Sequence, residues 1–167
     1  HMEPHQEFDK NKICLPEFRL EIWNDLIWVN LDDHAAPLAP TVEGLDQAFA
    51  PYKCADDWVM TNHYDKVWPG NWKNFNENNM EGYHHMGLHE NTLETYSPTH
   101  NTTNITYAEG WTRYQVPYDM DRQVSRDLIE ETNWKPGDMG QDEPSLDIVM
   151  IHPANAFVIY PGGAGFY

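Results

Sequence analysis

At 167 residues the chain is long enough for one domain with its own core, and its 40% hydrophobic and 13% aromatic content is too rich in large apolar side chains for a disordered tail. A formal charge of -17, with only ten Lys and Arg together, excludes a nucleic-acid surface and an anionic membrane surface, both of which need clustered cations. The acidic balance otherwise supports solubility and says nothing about fold.

Taken in chain order, "FRLEIWNDLIWVNL" (residues 18–31) places two β-branched and aromatic runs either side of Asn24-Asp25 and predicts a hairpin. "DDHAAPLAP" breaks the pattern, and "TVEGLDQAFAPY" predicts a short helix that starts at Thr41 and stops at Pro51. Residues 57–68, "DWVMTNHYDKVW", read as strand-like up to the turn at Pro69-Gly70. Asn71 then caps an expected helix through "WKNFNENNMEGYHH", with Trp72, Phe75, Met80 and Tyr83 facing inward. Its Asn content lowers intrinsic propensity, so tertiary contacts or a metal would have to hold it. "TYAEGWTRYQV" predicts a hairpin turning near Glu109-Gly110. Residues 119–145 read as a short helix plus an exposed loop, and "LDIVMIHPANAFVIYPG" as two strands joined through Pro153-Ala154-Asn155.

Cys14 and Cys54 stand alone without CxxC or CxH spacing, so neither a thiolate zinc site nor an iron–sulfur ligand set can be written from them. Two buried free thiols are expected, with a single disulfide between them as the alternative. No run approaches about 20 apolar residues and the first residues hold no signal-peptide core, so the expected location is the cytoplasm. "HMEPH" reads either as an expression scar or as native sequence. The opening without a cap or first strand, and the stop at "YPGGAGFY" just after a strand, suggest a fragment of a longer protein.

The densest chemistry lies in "NENNMEGYHHMGLHEN", residues 76–91. Glu81 and His84, three apart, share a helix face. His84 and His89 fall about 140° apart on an ideal helix, so both face one ion only if the helix bends or ends between them, where Gly87 sits. Two imidazoles and a carboxylate with open positions suit a non-haem Fe(II) oxygenase. Two other readings stand beside it: incidental polar groups in a metal-free module that carries hydrophobic ligands, and a zinc-dependent hydrolase using the same two histidines, though HExxH is absent.

From Asn71 the segment runs N-W-K-x-x-x-E-N-x-x-E-x-Y-H-x-x-x-x-H, which resembles the mononuclear-iron motif in the large subunit of the Rieske non-haem iron (aromatic ring-hydroxylating) oxygenases. "FRLEIWNDLIWVNLD" resembles the segment leading from their cluster domain into the catalytic domain. The resemblance implies an α+β helix-grip (START/Bet v1-like) fold, incomplete here, with a curved antiparallel sheet around a long helix. It implies that residues 1–31 are the end of the cluster-domain linker with the first hairpin, that 32–167 are part of the mononuclear-iron catalytic domain, and that the Rieske domain is absent. By position, His84 and His89 match the iron-binding histidines, and Glu81 the acid that links the iron site to a neighbouring subunit's cluster. The third iron ligand, an Asp in relatives, falls beyond Tyr167, and neither Asp142 nor Asp147 is promoted in its place. Asn78 and Tyr83 match support positions, Trp72 a core position, and Asn79 replaces an apolar residue common in relatives. His85 is additional, expected to point away from the metal, either supporting the ligands or exposed.

The implied cofactors are a mononuclear Fe(II), a [2Fe-2S] Rieske cluster in the missing domain, O2, and NAD(P)H through a reductase. The implied partners are a small organic substrate, the reductase with or without a ferredoxin, and copies of the same chain in a homotrimer or a multiple of it.

Overall fold

A computed structural model of the protein describes residues 12–54, 58–138 and 141–167. The chain divides into two compact units, His1–Pro37 and Leu38–Tyr167. The first holds the predicted hairpin: β1 (Arg19–Trp23) pairs antiparallel with β2 (Leu26–Asn30), Trp23 opposite Leu26. Asn24 and Asp25 both take positive φ (49° and 61°), the conformation whose twist matches two antiparallel strands and which these two residue types tolerate. Trp28 Nε1 donates to the Trp23 carbonyl at 3.2 Å, and the two indoles meet edge to face at 5.9 Å.

The second unit is built on five antiparallel strands in sequential order: β3 (Thr103–Ala108), β4 (Trp111–Pro117), β5 (Ser145–Ile151), β6 (Asn155–Tyr160) and β7 (Gly163–Phe166). The hairpin at Glu109-Gly110 and the connection through Pro153 fall where the sequence puts them; β7 is additional. β5 is the central strand and all seven of its residues are buried, which accounts for its nearly continuous apolar run.

Alternation along the strands sorts side chains to two faces. On one, Tyr114, Val116, Leu146 and Ile148 form a core with Tyr118, against which Met80, Tyr96, Leu128, Ile129 and Val158 pack. On the other, Val149, Phe157 and Ile159 are buried, and Phe49 meets Phe157 edge-on at 4.8 Å. Phe49 belongs to α1 (Leu45–Phe49), followed by a 3-10 turn, Ala50–Tyr52. This helix begins four residues later than expected because Gly44 adopts φ 83°, outside the helical region. The first face is covered in part by α5 (Gln123–Thr132), the short helix read between residues 119 and 145.

Two expectations fail, each for its own reason. Residues 58–68 form no strand and leave Val59, Met60, Val67 and Trp68 exposed, since β-branched and aromatic side chains favour a strand only against a pleated neighbour. The helix expected from Asn71 through His85 is split. α2 (Trp72–Met80) is capped by Asn71, whose side chain accepts from the Lys73 N–H at 3.0 Å, but it ends at Glu81, which is extended (φ -128°, ψ 141°). Four asparagines weaken the helix, and Gly82 passes so close to Thr99 that a Cβ would lie 2.8 Å from its Cγ2. The chain resumes as α3 (His85–Leu88), α4 (Leu93–Tyr96) and a 3-10 turn, Thr99–Asn101. The α+β architecture and antiparallel sheet therefore stand, while the sheet is open and the helix it faces is short and interrupted. Trp72 and Tyr83, expected inside, are exposed; Met80 reaches the core and Phe75 packs near Tyr167. Cys54 is buried as expected, whereas Cys14 is exposed, and both are free.

Candidate metal centre

The break after α2 shapes the site. Leaving helical geometry at Glu81 lets its carboxylate fold back on His84: Oε2 accepts the His84 backbone N–H at 3.2 Å, and Oε1 lies 2.5 Å from His84 Nδ1. Slight burial pushes the Glu81 carboxyl up, but the bonds from the His84 ring and backbone outweigh it and hold the group below the usual carboxylate range. A carboxylate only accepts, so His84 carries its proton on Nδ1 and leaves Nε2 as the basic nitrogen.

His84 stands at the N-terminal cap of α3 and His89 at its C-terminal cap, with φ -112° and ψ 21°. The helix fills the four residues between them, and each histidine stands at one of its ends. The ring centroids are 5.3 Å apart at 69°. His89 Nδ1 lies 3.2 Å from Thr92 Oγ1, whose own hydrogen goes to the His89 carbonyl at 3.4 Å. The hydroxyl oxygen then accepts from Nδ1–H, and Nε2 is again the available nitrogen. Two imidazoles sharing one ion, with metal–nitrogen bonds of about 2 Å, have ring centres about 5 Å apart, so this donor pair fits a metal ion. Among the described residues, no group of three or more His, Cys, Asp or Glu side chains converges as a metal site.

His85 stands beside the two histidines and not in solvent. It is buried, with 2% exposure, and its ring lies 4.6 Å from that of His84 and 5.5 Å from that of His89. Its backbone N–H bonds to the Gly82 carbonyl at 2.9 Å, turning the residue inward rather than to solvent. Burial, then the neighbouring His84 and His89, lower its pKa and favour the neutral ring.

Anchors hold the segment to the sheet. Asn76 Nδ2 donates to the Pro153 carbonyl, and Thr99 Oγ1 donates to the Gly82 carbonyl at 2.8 Å. Asn79 donates to the Phe75 carbonyl at 2.8 Å, one helical turn back, which satisfies it in place of an apolar contact. Asn78 is exposed on α2. Tyr114 was not singled out by the sequence: its hydroxyl is buried without a partner on the β-sheet face that receives Met80, and its pKa is raised by burial and then by the charge of Glu81. The only signal for it was its alternation within "WTRYQV".

Asp147 is not available as a ligand. It is fully buried on the opposite face, 2.6 Å from Arg113 Nη2, and accepts from Tyr52 Oη. Asp142 is exposed beside a polar cavity of about 600 Å³ on that face, lined also by Tyr52, Arg113 and Gln115.

A curated relative, the 2-aminobenzenesulfonate 2,3-dioxygenase subunit alpha of Alcaligenes sp, is 26% identical over 139 residues, 83% of this chain and 34% of that protein. A solved quaternary ammonium Rieske monooxygenase, described with carnitine oxidation by gut microbiota and inter-subunit electron transfer, superposes with a TM-score of 0.70 at 17% identity over 95% of this chain and 39% of that one. The quaternary ammonium Rieske monooxygenase CntA in complex with an inhibitor gives 0.69 at 19% identity, over 95% and 38%. The chain thus spans between a third and two fifths of the relatives it matches, and the solved structures establish the likeness of fold. Residues 55–167 match the ring hydroxylating alpha subunit (catalytic domain) family, and the chain belongs to that family.

Proposed function

We propose that this chain is part of the catalytic subunit of a Rieske-type oxygenase, residues 32–167 forming the mononuclear-iron part and residues 1–31 the approach from a cluster domain. His84 and His89 bind Fe(II) through Nε2, and Glu81 orients His84. The observation that carries this reading is that both Nδ1 atoms are committed, to Glu81 and to Thr92, while the rings sit 5.3 Å apart. Such outer partners fix the tautomer and raise ligand basicity. The bound iron, supplied with electrons from a Rieske [2Fe-2S] cluster, would activate O2 for hydroxylation of an organic substrate, as mono- or dioxygenation or as demethylation.

The chain's own residues perform the supporting work. Glu81 is exposed, holds the His84 proton on Nδ1, and keeps a carboxylate on the solvent side of the site, where a neighbouring subunit's cluster-binding histidine could donate to it. The apolar face around Tyr114, Val116 and Ile148 receives Met80, the last residue of α2 before the break that carries Glu81. The same reading assigns NAD(P)H as the electron source through a reductase, with or without a ferredoxin, and a homotrimer or multiple of it. It also assigns a cytoplasmic setting, in keeping with two unpaired cysteines.

The test is anaerobic Fe(II) reconstitution of the full-length protein beside its His84→Ala and His89→Ala variants. Loss of the mononuclear iron from either variant, with the cluster signal retained, is the expected result. Iron content indifferent to both substitutions would overturn the assignment in favour of a metal-free helix-grip module; zinc in place of iron would point to a hydrolase.

A further inference from the structure

An imidazole on a four-residue helix still rotates about its side-chain bonds, so backbone position alone does not fix the angle between two ligand rings. His84 is restrained by Glu81 at 2.5 Å, and His89 only by the longer 3.2 Å contact to Thr92. Beside the pair, at similar distance from each, lies a third ring. His85 is 98% buried and meets both neighbours edge to face, His84 at 87° and 4.6 Å, His89 at 86° and 5.5 Å. Its Nδ1 is buried without a hydrogen-bond partner, so packing rather than a bond at that atom sets the plane of the ring. A buried ring in a close-packed surround cannot turn without displacing what it touches.

We propose that His85 is a positioning residue: its ring, wedged edge-on against His84 and His89, sets the angle between those two imidazoles without itself binding the ion. The proposal rests on the iron-binding reading above. It has a chemical corollary. A benzene ring of similar shape serves as the wedge, and it removes a buried nitrogen that has no partner, whereas alanine leaves a void into which both ligand rings can turn.

The experiment compares His85→Ala, His85→Leu and His85→Phe in the full-length protein, with folding checked by circular dichroism. Fe(II) affinity is measured by chelator competition, and the visible spectrum is recorded after anaerobic Co(II) substitution. His85→Ala and His85→Leu should weaken metal affinity about 10- to 100-fold, the range for residues that support ligands, and alter the Co(II) bands. His85→Phe should keep the parental affinity and spectrum with thermal stability unchanged or raised. Parental behaviour in the leucine variant, or failure of the phenylalanine variant to restore affinity and spectrum, overturns the wedge. Should the alanine variant not fold, the Leu and Phe pair decides. His84→Ala and His89→Ala serve as controls: metal retained in both defeats the iron assignment itself, while metal lost in both but unaffected by His85→Leu defeats only the wedge.

Discussion

His84 Nδ1 lies 2.5 Å from one carboxylate oxygen of Glu81, while the other oxygen of the same group takes the His84 backbone N–H at 3.2 Å. One side chain thereby fixes both the tautomer and the backbone entry of its neighbour. This two-point grip exists because the helix stops at Met80 and Glu81 turns extended.

Loss of that grip should be felt at the metal rather than in the fold, because Glu81 is exposed. Glu81→Ala is expected to lower Fe(II) affinity about 10- to 100-fold with little change in melting temperature, and Glu81→Gln, which keeps an accepting oxygen, to lose less. Chelator competition against the parent measures both.

The Arg113–Asp147 pair is a stability element on the far face of the sheet. Asp147 is fully buried and its carboxylate takes Arg113 Nε at 3.0 Å and Nη2 at 2.6 Å, besides the Tyr52 hydroxyl. Arg113→Ala leaves that charge uncompensated and should cost about 3–5 kcal/mol in chemical denaturation. Metal content of the folded fraction should not change; a matching loss of iron would show the two faces to be coupled.

The buried tyrosines give a pH dependence of definite sign. Burial raises the pKa values of Tyr52, Tyr114 and Tyr118, reinforced by Asp147, by Glu81, and by Tyr96 and Tyr160 respectively. A raised folded pKa contributes stability that is complete below the unfolded value, about 10, and is lost as the pH climbs towards the folded one. Denaturation midpoints should therefore fall above pH about 10, together with delayed tyrosinate absorbance, and Tyr118→Phe should lessen the fall. A flat profile through that range would contradict the burial of these hydroxyls.

The two thiols should separate kinetically. Burial pushes the Cys54 thiol up to about 11, while Cys14 is exposed. Alkylation of the native protein, followed by peptide mass analysis, should label Cys14 quickly and Cys54 only after denaturant opens the fold.

Local chemistry was legible where a signal and its partner lie within a few residues. Asn24-Asp25 fixed the first hairpin, Asn71 the start of α2, and the three-residue spacing of Glu81 and His84 their contact. The Val- and Trp-bearing stretch 58–68 misled because its strand propensity finds no neighbouring strand. For His85 the sequence left a supporting and an exposed place open, because spacing gives a direction only while the helix continues, and this one had ended.

The sequence by itself determined the hairpin turns and the apolar strand that becomes β5, because each follows from side-chain chemistry or short-range backbone preference. Only the tertiary structure decided that Asp147 belongs to Arg113 rather than to a metal, that Tyr114 buries a partnerless hydroxyl on the sheet face that receives Met80, and that His85 packs edge-on against both candidate ligands. Those outcomes depend on which surfaces meet across long stretches of chain, and burial, which sets the cost of every unpaired polar atom, is a property of that meeting.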